Sequence, residues 1–136
     1  MKYEQFVKHV QEEAQIESRE AAQRATQATL ETIKERIVGN EASQLAAQLP
    51  KELGQYLHGR EGEDGGYFKI DEFYQRVSQK EGSELSVAAN HAKAVFTVLQ
   101  QAVTPGEFAD VRANFSEDYD ELLGASETQS GSDATK

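Results

Sequence analysis

Apolar residues recur along the first part of the chain with the period of an α-helix. In the segment 3–14, Tyr3, Phe6, Val7 and Val10 stand at positions i, i+3, i+4 and i+7, so they share one face. The polar residues of this segment fall on the opposite face. The pattern predicts an amphipathic helix that buries one side against a core.

Further helices follow with recognisable ends. A second helix is predicted to begin after Ser18, a favourable N-cap, and to end at Gly39, a residue typical of C-caps. The apolar spacing within 42–49 predicts a third helix. Pro50 is suited to the first position of a short fourth helix that reaches Leu57. These elements predict an all-α fold.

The same helical pattern occurs a second time. Phe6 and Val10 correspond to Phe73 and Val77 at a separation of 67 residues, and from the second helix onward the separation is 66. The later corresponding positions are Leu30, Ile33, Ile37, Ala42, Leu45, Leu49 and Leu53 in the first copy and Phe96, Leu99, Val103, Phe108, Val111, Phe115 and Tyr119 in the second. Such ordered agreement indicates an internal duplication.

The duplication predicts repeat one over residues 2–57, a linker over 58–69 and repeat two over 70–123. Each copy has only about ten large apolar side chains, which is marginal for an independent domain of this size. We therefore expect one domain, residues 1–123: a compact helical bundle in which two tandem repeats of three to four helices share a core with pseudo-two-fold symmetry. Residues 124–136 show no apolar periodicity and are predicted to be disordered.

The second copy contains the clearest helix start. Thr104, Pro105 and Glu107 stand at the N-cap, N1 and N3 positions of a predicted helix. Thr at the N-cap with Glu at N3 is the pattern of a capping box, and proline is favoured at N1. The sequence therefore predicts that Glu107 serves to cap this helix.

Several segments carry a resemblance to a known family. They are Phe6 with Val10, residues 25–37, residues 46–53 (Ala-Ala-Gln-Leu-Pro-Lys-Glu-Leu), residues 70–73 (Ile-Asp-Glu-Phe), residues 91–96, and residues 105–108 with 110–112. With these segments the chain resembles the bacterial domain of unknown function (DUF) family 2267 over roughly residues 2–123. The resemblance implies a small, all-helical bacterial protein made of two repeats. It implies no activity, catalytic residue or cofactor.

Composition narrows the possible functions. The chain has 24 acidic and 14 basic residues, for a net charge of −10. Such a surface repels phosphate backbones, so we expect no nucleic-acid partner and favour a protein partner with a basic surface. The absence of cysteine excludes disulfides, thiolate metal sites and cysteine nucleophiles. No apolar run is long enough for a membrane span and no signal-peptide core is present, which predicts a cytoplasmic protein without a membrane partner.

The linker and the residues after it contain a degenerate calcium-loop pattern. In the register of an EF-hand, Glu61, Glu63 and Glu72 would occupy positions 1, 3 and 12, where calcium takes carboxylate ligands. However, position 5 is Gly65, which offers no carboxylate, and position 9 is Lys69, which brings positive charge. We interpret the linker as a flexible, solvated spacer. Calcium binding by the three glutamates is the alternative.

No catalytic constellation is recognisable in the sequence. His9 lies opposite the apolar face of its helix and is expected to be exposed, His58 is expected to be free, and His91 is expected to be half-buried at the edge of a helical stripe. No nucleophile elbow, P-loop or dinucleotide motif is present. The sequence therefore predicts a protein that is not an enzyme and needs no cofactor.

The remaining functions are forms of binding. We expect a protein-interaction or regulatory module, in which a groove between the repeats holds a partner helix and acidic edges select a basic partner. Self-association is one form of this function, because a small core gains from burying more surface. Binding of an apolar small molecule between alanine-rich helices is a further alternative.

Overall fold

Helices form all of the regular secondary structure in residues 1–124, the part of the chain that the computed structural model describes. They are α1 (Tyr3–Ala14), α2 (Arg19–Arg36), α3 (Gly39–Ala47), α4 (Lys51–Gly54), α5 (Ile70–Glu81), α6 (Leu85–Ala102), α7 (Pro105–Arg112) and α8 (Asp120–Leu123), with a 3₁₀ turn at Glu117–Tyr119. The predicted all-α fold is confirmed. The disordered tail predicted for 124–136 lies, apart from Gly124, outside the described residues.

The two halves of the chain pack into one core. α1 contacts both α2 and α6, and α5 contacts both α6 and α2, so each of the longest helices touches neighbours from both halves. Within the pairs that correspond in sequence, α1 and α5 have 12 residues each and α2 and α6 have 18 each. The equal helix lengths are compatible with a duplication, and the tandem repeat with its pseudo-two-fold relation stays a prediction. Among the described helices none is both long enough and apolar enough to span a membrane.

Aromatic side chains are concentrated in the part of the core that the second half supplies. The Phe73 ring meets the rings of Phe96, Phe115 and Tyr119 edge-on, with centroid distances of 5.8, 6.3 and 5.7 Å. Edge-to-face contacts of this kind each contribute about 0.5–1.5 kcal/mol beyond area burial. The corresponding first-half residues are Phe6, Leu30, Leu49 and Leu53, so the ring cluster distinguishes the second half of the chain from the first.

Three helix ends can be compared with their predictions. Ser18 caps α2 as predicted, since its Oγ accepts a hydrogen bond from the backbone N–H three residues later at 3.1 Å. Gly39, however, does not end α2: that helix stops at Arg36, and Gly39 is the first residue of α3. The backbone oxygen of Arg60 occupies the space that a Cβ on Gly39 would need, so only glycine fits there. α4 also ends at Gly54, before the predicted Leu57.

The linker, residues 58–69, is fixed against the C-terminal end of α2. The Gly39 N–H donates to the Glu63 carbonyl at 2.9 Å, and the Gly66 N–H donates to the Glu35 carbonyl at 3.0 Å. Arg60 Nη1 donates to the same Glu35 carbonyl at 2.8 Å. The last two bonds satisfy the Glu35 carbonyl near the end of α2, and the first joins the linker to the start of α3. The structure therefore differs from the flexible spacer predicted above, because glycines let the two backbones approach closely.

Candidate functional site

Three carboxylates meet where α3 packs against α7. One side-chain oxygen from each of Glu41, Glu107 and Asp110 lies within 4.8 Å of the other two. Glu41 is in the first turn of α3 and Glu107 in the first turn of α7, while Asp110 follows one turn later on the same face of α7. We call these three residues the carboxylate cluster. In residues 1–124, these three side chains form a group that is close enough together to share a metal ion.

Burial decreases across the carboxylate cluster from Glu107 to Asp110. Glu107 is only 8% exposed, Glu41 is half-buried and Asp110 is exposed. One carboxylate oxygen of Glu107 and one of Glu41, Oε2 in each case, is fully buried and has no hydrogen-bond donor among the described residues. None of the ion pairs in the described part of the chain includes any of the three carboxylates. Within residues 1–124 the cluster thus lacks a basic partner.

The proton affinity of Glu107 reflects this environment. Burial, followed by the close approach of the Glu41 carboxylate and by the charge of Asp110, raises the pKa of Glu107 to about 7. Two ionised carboxylates repel each other and cannot form a hydrogen bond, because neither has a proton to donate. A proton held between the two carboxylates, or a bound cation, would relieve this repulsion.

The capping box predicted for α7 is only half correct. Thr104 Oγ1 accepts a hydrogen bond from the Glu107 N–H at 3.1 Å, as expected for an N-cap. The Thr104 N–H, however, donates to Gln48 Oε1 at 2.9 Å rather than to the Glu107 side chain. The Glu107 carboxyl group is directed to Glu41 instead. A signal was available in the sequence, since Glu41 and Glu107 are acidic residues at the repeat separation of 66.

A second group of functional interest surrounds Arg36, the last residue of α2, which is 5% exposed. Its Nε donates to the Phe68 carbonyl at 2.9 Å and its Nη1 to the Asn114 carbonyl at 3.0 Å. A weaker contact of 3.4 Å joins Nη2 to Ser116 Oγ. Arg36 thereby connects α2, the end of the linker and the segment between α7 and α8.

Aromatic rings surround the guanidinium group of Arg36. Its central carbon lies 4.9 Å from the ring centroid of Tyr67, 5.2 Å from that of Tyr119 and 5.4 Å from that of Phe115. The ring faces supply the negative potential that a carboxylate would otherwise provide. The Tyr119 and Phe115 rings are buried, but Tyr67 is 69% exposed. Arg36 therefore anchors an aromatic ring on the protein surface.

The glutamates of the calcium-loop alternative bind other partners. Glu61 lies 2.7 Å from His58 Nδ1 and accepts a hydrogen bond from the Gly59 N–H at 3.0 Å. These contacts, with that of His58 the largest, lower the pKa of Glu61 to about 2. His58, which the sequence predicts to be free, is thus paired.

The other two glutamates of the calcium-loop alternative pair with arginines. Glu63 accepts a hydrogen bond from Arg60 Nε at 3.0 Å, and Glu72 accepts one from Arg76 Nη2 at 2.6 Å. The structure does not bring Glu61, Glu63 and Glu72 together into one site. Each of the three glutamates instead contacts a residue three or four positions away in the sequence.

The remaining histidines occupy the environments predicted for them. His9 is exposed, and His91 is half-buried with its Nδ1 2.9 Å from Glu81 Oε1. The Glu81 side chain is only 4% exposed and also accepts a hydrogen bond from Ser83 Oγ at 2.8 Å. This contact joins the end of α5 to α6. His9, His58 and His91 each face a different glutamate, so they do not converge.

Together these features define a small all-helical protein with one core shared by both halves of the chain, an ordered acidic linker and a buried carboxylate cluster. The chain belongs to the family of uncharacterised conserved proteins designated DUF2267, whose family model matches residues 3–122. The resemblance noted in the sequence is therefore confirmed. No match to the chain is found among curated proteins.

Proposed function

We propose that this protein is a non-enzymatic protein-interaction or regulatory module of the bacterial cytoplasm, and that its linker is the docking surface for a basic partner. The docking surface consists of Glu61, Glu63, Asp64 and Tyr67, which are all exposed. The observation that carries the proposal is that the linker backbone is held firmly while these side chains face solvent.

The fixed backbone favours binding. The Glu63 carbonyl accepts from Gly39, and Gly66 and Arg60 both donate to Glu35. A segment that is already ordered loses little conformational entropy when a partner binds, so more of the contact energy appears as affinity. A flexible tract of the same composition would lack this advantage.

The charge of the docking surface selects the class of partner. Three acidic residues occur within four positions of a chain whose net charge is −10. Glu61 and Glu63 are partly neutralised by His58 and Arg60, whereas Asp64 belongs to none of the ion pairs in residues 1–124. Like-charge repulsion disfavours nucleic acids and anionic membranes at this surface, and a segment rich in Lys or Arg complements it.

Tyr67 supplies the apolar part of the docking surface. Its ring is 69% exposed and lies over the Arg36 guanidinium group, whose carbon is 4.9 Å from the ring centroid. A tyrosine held in one orientation offers a large contact area at low entropic cost, and such residues are frequent among binding hot spots. A partner that stacks a basic side chain on this ring would use both charge and contact area.

Two sets of buried ionisable groups support the non-enzymatic part of the proposal, because they are used in packing. Arg36 holds backbone carbonyls, and the Glu81–His91 pair joins α5 to α6. Each of these groups stabilises the contact of two segments within the core.

Photo-crosslinking at the docking surface tests the proposal. Benzoylphenylalanine is placed at Tyr67 in one variant and at Gln79, an exposed residue of α5, in the control. After illumination of intact host cells, we expect an adduct with one protein from the Tyr67 position and none with that protein from Gln79. The captured protein is then purified, and its affinity for the unmodified chain is measured at low and high salt.

Matched charge variants decide the outcome. Glu63→Gln with Asp64→Asn removes two charges from the docking surface, and Glu12→Gln with Glu13→Gln removes two from the exposed end of α1. We expect the first pair to weaken binding roughly tenfold and the second pair to change it little. The loss of affinity in the first pair should be larger at low salt than at high salt, because salt screens the removed charges. Equal losses for both pairs, capture of a second copy of this chain, or absence of saturable binding would each overturn the proposal.

A further inference from the structure

We propose that the carboxylate cluster of Glu41, Glu107 and Asp110 is a binding site for a hard divalent cation such as calcium. The donor set consists only of carboxylate oxygens, which calcium, magnesium and manganese prefer and softer metals do not. The site shares no residue with the docking surface, because it lies between α3 and α7 rather than on the linker.

Unpartnered oxygens are the second observation that points to a ligand. Glu107 is more than nine-tenths buried, and its Oε2 has no donor among the described residues. The buried Oε2 of Glu41 is in the same situation. A buried acceptor without a partner costs roughly 1–3 kcal/mol, and more when it is charged. A cation between the two side chains would satisfy both atoms at once.

The spacing of the cluster suits a calcium ion. Calcium binds oxygens at about 2.3–2.6 Å, so two of its ligands on opposite sides can be up to about 5 Å apart. The three carboxylates each present an oxygen within 4.8 Å of the others, which is inside that limit. Asp110 is exposed, so water can complete the coordination from its side.

Electrostatics favour a multiply charged ion over a monovalent one. Three carboxylates converge, and no base pairs with them in residues 1–124. A divalent ion neutralises most of this charge while gaining three charged ligands. Because Glu41 belongs to the first half of the chain and Glu107 to the second, the ion would join the two halves. Binding would then stabilise the folded protein by mass action.

Calorimetry on the full chain tests the site directly. The protein is stripped with a chelator, dialysed into metal-free buffer and titrated separately with calcium chloride and magnesium chloride. We expect one saturable binding event per chain for at least one of these ions, with a matching rise in the melting temperature. Absence of both signals up to 10 mM of either ion would overturn the proposal; this ceiling is about tenfold above the weakest ordinary calcium sites, whose Kd is on the order of 1 mM.

Variants assign the binding to these residues. Asp110→Asn changes an exposed side chain whose carboxylate makes no hydrogen bond or ion pair in residues 1–124, and it should weaken binding at least tenfold, while Glu107→Gln should abolish it. Glu12→Gln with Glu13→Gln provides a control with two fewer charges elsewhere, and Glu61→Gln with Glu63→Gln tests the linker. Binding that survives Asp110→Asn and Glu107→Gln, or that is lost in either control, would refute the assignment. Since the docking assay uses other residues, either proposal can fail alone.

Discussion

Replacing Arg36 with alanine should lower the free energy of unfolding by about 3 kcal/mol. The change removes two charged hydrogen bonds to the Phe68 and Asn114 carbonyls, each contributing about 1.5 kcal/mol or more. Loss of the contacts with the surrounding rings adds about 1 kcal/mol. Part of this loss is offset, because alanine also removes the cost of burying a guanidinium group that has no carboxylate partner among residues 1–124. The Phe68 carbonyl keeps its hydrogen bond from the Tyr119 hydroxyl at 2.7 Å.

Urea unfolding followed by circular dichroism measures this effect. Arg24→Ala is the matched control, because Arg24 is an exposed residue of the same helix, and its replacement should change stability by less than about 0.5 kcal/mol. Arg36→Lys should fall between the two, since an ammonium group cannot donate in the fixed fork geometry of a guanidinium group. If Arg36→Ala were within about 1 kcal/mol of Arg24→Ala, Arg36 would not be what holds the linker and the aromatic cluster together.

Three further predictions follow from the same structure. Gly39→Ala should destabilise the fold by more than about 2 kcal/mol, because the new Cβ overlaps the Arg60 backbone oxygen, whereas Gly106→Ala, with open space around its Cβ, should be neutral or slightly stabilising in urea midpoints. The pKa of Glu107 is raised from 4.5 to about 7 in the folded protein, so in metal-free buffer its protonated side chain stabilises the fold. This stability is fully present below pH 4.5 and is lost as the pH rises through 7. The loss amounts to roughly 3 kcal/mol at most, and an unchanged pH slope in Glu107→Gln would contradict it. Burial raises the pKa of Tyr119 from 10 to about 12, so its protonated hydroxyl stabilises the fold below pH 10 and this stability is lost toward pH 12. The difference between the 295 nm absorbance titrations of the wild type and of Tyr119→Phe should have its midpoint near pH 12. A midpoint near pH 10 would refute the prediction.

The helices could be predicted from the sequence because their signals are local. The α1 stripe from Tyr3 to Val10 repeats every 3.6 residues, and the predicted bounds 3–14 agree with the structure. Ser18 caps its helix through a bond to a residue only three positions away. Information of this kind is contained within one or two helical turns, so a single chain is sufficient to reveal it.

The environments of Gly39 and Arg36 could not be predicted in the same way. A glycine after an apolar stripe commonly ends a helix. Gly39 is required here for another reason, because the backbone oxygen of Arg60, which is distant in sequence, lies where a Cβ would be. An arginine in a last helical turn is ordinarily solvated, but Arg36 is buried by Phe68 and Phe115. Both outcomes depend on contacts between segments that the chain brings together only on folding.

Glu107 shows how a correct local signal concealed a nonlocal role. Its position at N3 after Thr104 fits a capping box, and half of that motif is present. The other half is supplied by Gln48, which accepts the Thr104 N–H and so leaves the Glu107 carboxyl free to turn toward Glu41. Gln48 and Glu41 both belong to the first half of the chain, at the two ends of α3. The start of α7 is therefore completed by α3 through one neutral contact and one acidic contact. Only the acidic contact needs a proton or a cation, so the interface between the two halves is the part of the fold whose stability a bound ion would alter.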